Sequence, residues 1–482
     1  MTEPSDGEST ASVSWWKPVL FAAMAGGMGW GIRGQYGHET GAMNAGLLIS
    51  LTLAYLLCPR MATLPLVRAI ALGTVAMGIG GSMTYGQTLG LSHDPDMIGS
   101  WEAFRWGMLG CAIKGAIWIG FCGAFLGMGL SGHQHKSRDI FALMLAALGL
   151  FFIGTRLLNY PFNPAERELP WLYFSGDWHW QPDKLDLRPR REVWGGLLFA
   201  WATVVAYCIW WAKDKLGRNM ALWGFLGGAL GFPIGQSIQS YRAWNPETFT
   251  RGIWENLGQY MNWWNMMETT FGTIAGATLG LGLWLNREKI DAMLKGETKP
   301  SIPIPLEMIL LAAHVTLLFY VEFRSVRQID IVYDLGLIMV IIPFIVIVGG
   351  RLSPYLMIFP ITLMPIAGKT IRQLVYREES VGLATGWALY FIIPMLISLG
   401  IAIYFYLRHQ SRNEDGIFTG VSLVVTAWTF FLLNYAFFHY PWPWSEWTGR
   451  TPSGIIFTVC ILSLTGLVVL TQRKRTTEST SG

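Results

Sequence analysis

The chain has 482 residues and a formal net charge of +4, and it is 52% hydrophobic against only 14% charged. Average soluble domains carry about 25% charged residues, so a water-soluble globular class is excluded at the outset. The small basic surplus is explained by loops flanking apolar runs and requires no nucleic-acid partner.

Residues 1–15 read as a polar tail. It lacks the basic start and small-residue cleavage site of a secretory signal, so it is expected to stay on the chain. Runs of about 20 apolar residues, each able to cross a ~30 Å hydrocarbon core, then recur near 16–31, 41–58, 68–90, 104–130, 139–157, 193–212, 219–239, 263–286, 305–323, 331–349, 353–368, 382–407, 416–437 and 453–471. Residues 16–471 therefore read as one transmembrane domain of about fourteen helices with a large outer loop at 158–192, followed by a basic tail at 472–482. The loops after even-numbered runs hold Arg60 and Arg68, Lys136 and Arg138, Lys213, Lys215 and Arg218, Arg287 and Lys289, Arg351, Arg408, and Arg473 to Arg475. Lys and Arg stay on the cytoplasmic side, so both termini are expected in the cytoplasm and the chain in the cell's inner membrane.

All five cysteines lie in apolar segments, which argues against disulfides and zinc. No Walker loop, dinucleotide fingerprint, His-Glu-x-x-His or Cys-x-x-Cys occurs, so neither a metal nor a cofactor is expected.

An internal repeat organises the chain. Gly81-Ser-Met-Thr-Tyr-Gly-Gln87 resembles Gly231-Phe-Pro-Ile-Gly-Gln236, and each is followed by a tryptophan-bearing loop and a glycine-rich helix, Gly123 to Leu130 and Gly276 to Leu283. Span one closes alike with Gly31-Ile-Arg-Gly-Gln35, and span five with Gly154-Thr-Arg156. The unit is a hairpin with a polar turn outside. Copies four helices apart keep one orientation, unlike the inverted repeats of many transporters. The predicted fold is an all-α polytopic membrane protein, its hairpins ringed as an (α/α)7-like barrel open to the non-cytoplasmic side. Spaced glycines also serve close helix packing alone.

Ionisable groups inside apolar runs are costly, so they imply function or a buried partner. Glu268 lies two turns into span eight, in Asn262-Trp-Trp-Asn-Met-Met-Glu268, and Lys114 lies deep in span four. The repeat register sets Lys114 beside Glu268, so a structural Lys114–Glu268 ion pair competes with a functional reading. The densest polar cluster is Arg33, Gln35, His38 and Glu39 at the interrupted end of span one, where irregular backbone must be buried in protein or line a wet cavity. Asp94-Pro95-Asp96, Asn163-Pro164 and Asn245-Pro246 read as helix N-caps. His314 reads as a core histidine, and His133 and His135 as solvated. Outer loops hold Trp101, Trp106, Trp171, Trp178, Trp180, Trp244, Trp254, Trp442, Trp444 and Trp447; some form an interfacial belt, while Asp177-Trp-His-Trp180 suits stacking of a hydroxyl-rich ligand such as a sugar.

These features together fit a membrane-embedded glycoside hydrolase acting on a carbohydrate or glycoconjugate from the outer side. Glycosidic cleavage uses one protonated and one ionised carboxyl. Glu268, among Trp263, Trp264, Met266 and Met267, suits the acid, because desolvation favours its neutral form. Glu39, near Arg33 and His38, suits the nucleophile or base. Arg33, Gln35, His38, Gln87, Arg156, Gln236, Trp263, Glu322 and Asp334 would line the pocket. The hairpin plan resembles the polytopic transmembrane glycosidases, which echo soluble (α/α)-barrel hydrolases. Two other readings use the same residues: a secondary transporter centred on Glu268 and Lys114, and a transferase with a lipid-linked or acyl donor and His38-Glu39 as base.

Overall fold

The computed structural model describes residues 13–33, 41–59, 61–133, 135–258, 261–291, 302–324, 326–329, 342–410, 417–438 and 451–480. Among them helix is the only extended regular structure, and an isolated bridge between Asn163 and Glu168 is the one β feature. The helices are α1 (Trp16–Arg33), α2 (Met43–Leu57), α3 (Thr63–Gly80), α4 (Gly86–His93), α5 (Trp101–Leu130), α6 (Ser137–Leu158), α7 (Trp194–Ala206), α8 (Lys215–Trp244), α9 (Ile253–Leu257), α10 (Trp263–Leu285), α11 (Ile304–Phe323), α12 (Ile342–Ile347), α13 (Leu352–Leu356), α14 (Ile358–Ile371), α15 (Leu383–Trp387), α16 (Ile393–Gln410), α17 (Ile417–Tyr435) and α18 (Thr451–Thr480). Nine helical stretches among the described residues are long and apolar enough to cross a membrane.

Six helices pack in a closed sequence: α3 on α5, α5 on α8, α8 on α10, α10 on α1, α1 on α2, and α2 back on α3. Glycine permits the closest crossings. A Cβ on Gly272 of α10 would strike the carbonyl oxygen of Gly26 in α1, and Gly115 of α5 stands in the same relation to Gly228 of α8. The packing reading of the spaced glycines therefore holds at these crossings, since small residues let helix backbones approach where apolar lipid offers no other driving force. Aromatic rings fill the middle of the ring: Trp30 meets Trp118 with centroids 4.9 Å apart and Phe271 at 4.4 Å, and Phe271 stacks on Phe232 at 4.7 Å. Edge-to-face and offset contacts of this kind seal the centre with apolar surface.

The remaining helices lean on the outside of the ring, and several expose long apolar faces. Phe141, Leu145, Phe152 and Leu157 of α6, Leu306, Met308 and Ile309 of α11, and Leu396 and Ile403 of α16 are all exposed. Unbroken apolar exposure along whole helices suits a lipid surround rather than water.

Two expectations are corrected in outline. The run 68–90 is not one helix: α3 ends at Gly80, where the Trp118 backbone and ring leave no space for a side chain, and α4 begins at Gly86 after an irregular turn. The Asp94, Asn163 and Asn245 turns do start short 3-10 helices with proline in the first turn, yet their side chains make no N-cap hydrogen bond. Side-chain caps come instead from Ser100 to Ala103, Asp214 to Gly217 and Asn262 to Asn265.

Candidate active site

Loops 94–100, 159–193 and 245–258 gather at one end of the ring, the tryptophan-rich face; residues 131–133 and 286–291 meet at the other, where the Asp291 amide donates to the Leu130 carbonyl at 3.2 Å. The polar residues of interest collect around α4, just beneath the tryptophan-rich face.

Glu268 lies in the second turn of α10, started by the Asn262 cap, and is 1% exposed. Its Oε1 accepts from the Tyr85 hydroxyl at 3.3 Å and from the Trp264 indole at 3.1 Å. Trp264 sits four residues earlier on the same helix, so one turn brings its indole alongside the carboxyl. Tyr85 occupies the residue before α4, and its ring packs on Phe232 at 5.5 Å, which ties the site to the aromatic floor. Beyond Trp264 comes the half-buried His93 ring, 6.2 Å away edge-on, whose Nδ1 donates to the Leu89 carbonyl at 2.7 Å. Gln236 of α8 closes the cluster: its Nε2 donates to Ser92 Oγ at 2.8 Å, while its buried Oε1 has no partner among the described residues. Thr84, Gly86 and Gln87 are partly exposed, and a side chain on Gly86 would meet nothing, so the cluster borders open space at the start of α4.

Lys114 belongs to a different structure. Its Nζ donates to Glu192 Oε1 at 2.6 Å, the Thr84 carbonyl at 2.8 Å and Thr88 Oγ1 at 2.6 Å, which occupies all three ammonium protons. Glu192 in turn accepts from Ser175 Oγ at 2.8 Å and from the Phe174 amide at 3.0 Å. Both partners are wholly buried. The Lys114–Glu268 pair is thereby corrected: the lysine anchors the long loop, and sequence offers no local signal because its partner is 78 residues away. Gln87 also serves the loop, donating to the Arg188 carbonyl and accepting from the Arg190 amide.

The long loop and the start of α5 line a cleft of about 740 Å³ walled by Trp101, Trp106, Trp171 and Trp180, with Glu102, Arg105, Asp177 and His179 among its polar groups. Asp177 is buried, and burial holds its carboxyl above the usual range even though the His179 amide donates to it at 2.7 Å. The Asp177-Trp-His-Trp180 motif pointed here, whereas Glu102 and Arg105 were hidden in what reads as plain helix start.

The other expected site residues divide. Trp263 joins Phe249 and Trp254 in an aromatic cluster beside Glu268's helix. Arg156 is exposed and lies over the Tyr160 ring at 4.9 Å, and Glu322 is bound to Arg372 at 2.9 Å on α11, which packs on α12 and α14; neither joins the Glu268 cluster. Gln35, His38, Glu39 and Asp334 fall outside the described residues, as does the Arg33 side chain. Close by, the Asn265 amide donates to the Gly31 carbonyl, which fixes the end of α1 against the first turns of α10. Tyr85 carries no distinguishing signal of its own in the sequence, although it stands inside the repeated motif, two residues before Gln87. His135 is corrected as well: it is buried at the opposite face, with Nε2 3.1 Å from Asp214 and Nδ1 3.0 Å from the Tyr207 hydroxyl. Among the described residues no group of His, Cys, Asp or Glu has metal-binding geometry.

Among the described residues, fold and site together define an all-helical protein with nine helical stretches long and apolar enough to cross a membrane and a buried carboxyl under one face. Comparison with family models, curated proteins and solved structures finds no match to the chain.

Proposed function

We propose that this chain is a membrane-embedded glycoside hydrolase whose chemistry centres on Glu268, with Glu39 as the second carboxyl. The observation that carries the reading is Glu268 itself: a buried carboxyl held by a phenol and an indole, over an aromatic floor, with amide and imidazole groups beside it. Stacking rings with a few convergent polar groups suit a sugar, and a carboxyl in such surroundings suits general acid or nucleophilic work at a glycosidic bond. The tryptophan cleft supports the same substrate class, because flat rings interleaved with Glu102, Arg105 and Asp177 offer both stacking and hydrogen bonds.

In its finer form the reading has about fourteen crossings in seven hairpins around a bowl, both termini in the cytoplasm and the tryptophan-rich face outside, in the inner membrane. Arg33, Gln35, His38 and Asp334 would complete the pocket wall.

Detergent-purified protein incubated with a panel of glycosides is expected to release reducing sugar. Glu268→Gln and Glu39→Gln should each abolish release while the unfolding temperature stays near that of the parent. Full turnover in both variants overturns the assignment.

A further inference from the structure

Helix α11 lies outside the six-helix ring, and its buried residues are Glu307, His314, Leu318 and Glu322. Steps of seven, four and four residues approximate whole turns, so these residues form one stripe. At 1.5 Å per residue the helix spans about 30 Å, the thickness of a hydrocarbon core, with His314 near its middle. An apolar helix places its buried face in ionisable residues at a cost, and such groups in membranes mark ion or proton routes.

The two ends of the stripe are neutralised. Arg351 donates to Glu307 Oε2 at 2.6 Å and to the Ile302 carbonyl at 2.8 Å, and Arg372 donates to Glu322 Oε2 at 2.9 Å. His314 differs. It is 1% exposed, and neither ring nitrogen has a hydrogen-bonding partner among the described residues. The imidazole borders a cavity of about 10 Å³, room for about one water, whose other walls are apolar side chains such as Leu311, Pro343, Val346 and Ile358. Among the described residues that line this cavity His314 is the one titratable group, and Lys369 of α14 lies near Glu322 at the far end. A buried polar group left unmatched destabilises the fold, so folding gains nothing from a histidine here that leucine would not supply.

We propose that His314 is a proton-transfer site through which α11 passes protons across the membrane, between Glu307 at one end and Glu322 at the other. Neutral imidazole has one N–H and one bare nitrogen. It takes a proton from water on the bare nitrogen and releases the other N–H proton to water on the far side; a ring flip restores the starting tautomer. One proton moves, and nothing is oxidised or reduced. The rise per residue sets about 10 and 12 Å between the ring and the two carboxyls, distances that water entering along α11 has to span for the relay to run. The inference is independent of the hydrolase reading.

The test uses the full chain in liposomes loaded with a pH-sensitive dye, under a potassium-diffusion potential set with valinomycin. The parent is expected to acidify the lumen faster than protein-free vesicles. His314→Leu should cut that excess rate at least tenfold while its unfolding temperature is unchanged or raised, and His314→Gln should do likewise. A parent no faster than empty vesicles, or a leucine variant at the parent rate, overturns the proposal.

Discussion

Glu192 and Glu268 are both buried carboxyls, yet their surroundings differ. Glu192 faces a lysine whose three donors are all occupied, and its own oxygens are taken by a hydroxyl and a backbone amide. Glu268 Oε1 accepts from Tyr85 and Trp264, and the partly exposed Thr84, Gly86 and Gln87 flank Tyr85 in the chain. A charge matched this completely orders the loop that crosses it, whereas a carboxyl held by a phenol and an indole is the group on which the proposed chemistry rests.

The comparison breaks most sharply at Lys114. Lys114→Met strands Glu192 in the interior and should cost about 3–5 kcal/mol, read as a lower denaturant midpoint in detergent, whereas Lys114→Met with Glu192→Gln should recover much of the loss. A double variant no better than the single would mean that the pair is not a unit. Next comes the frame on which both sites stand. Gly272→Leu drives a side chain into the Gly26 backbone and should cost about 1–3 kcal/mol, with a matching fall in unfolding temperature, while Gly400→Leu, at a position with open space, should change little.

Glu268→Gln should have a much smaller effect on stability, at most about 1 kcal/mol, because the amide oxygen still accepts both hydrogen bonds. A loss as large as that of Lys114→Met would return Glu268 to the structural class. The smallest effect concerns Asp214, a third buried carboxyl, paired at the basic face. Burial pushes its acid up, but hydrogen bonds from His135, the Gly217 amide and Ser131 outweigh this and hold it below its ordinary 3.8, so its contribution is present above that pH and lost below it. For His135 burial outweighs Asp214 and holds the imidazole below its ordinary 6.5. The folded state thus refuses a proton that the unfolded chain accepts, and stability should decline as pH falls below 6.5, measurably in thermal unfolding between pH 7 and 5. His135→Gln should flatten that decline; an identical slope would place its origin elsewhere.

Much of the fold was legible in one dimension. Each apolar run from 16–31 to 453–471 overlaps a described helix, because a helix in lipid must be apolar over its whole length and so writes itself into contiguous residues. The glycine repeat was visible for a related reason: a close crossing needs small residues at helical spacing, as at Gly272 and Gly115. Glu268 was singled out by the same logic, since a carboxyl inside an apolar run stands out without any knowledge of its neighbours.

Partners were decided only in three dimensions. The register of the repeat set Lys114 beside Glu268, and the folded chain gives it to Glu192, brought from the far end of a long loop. Arg156 and Glu322 looked like pocket residues by type and depth, yet their helices face elsewhere. Composition reports what a segment must avoid, namely unpaired charge in lipid, and is silent on which distant group answers it. That choice belongs to helix packing, where direction and distance, rather than residue type, determine which side chains meet.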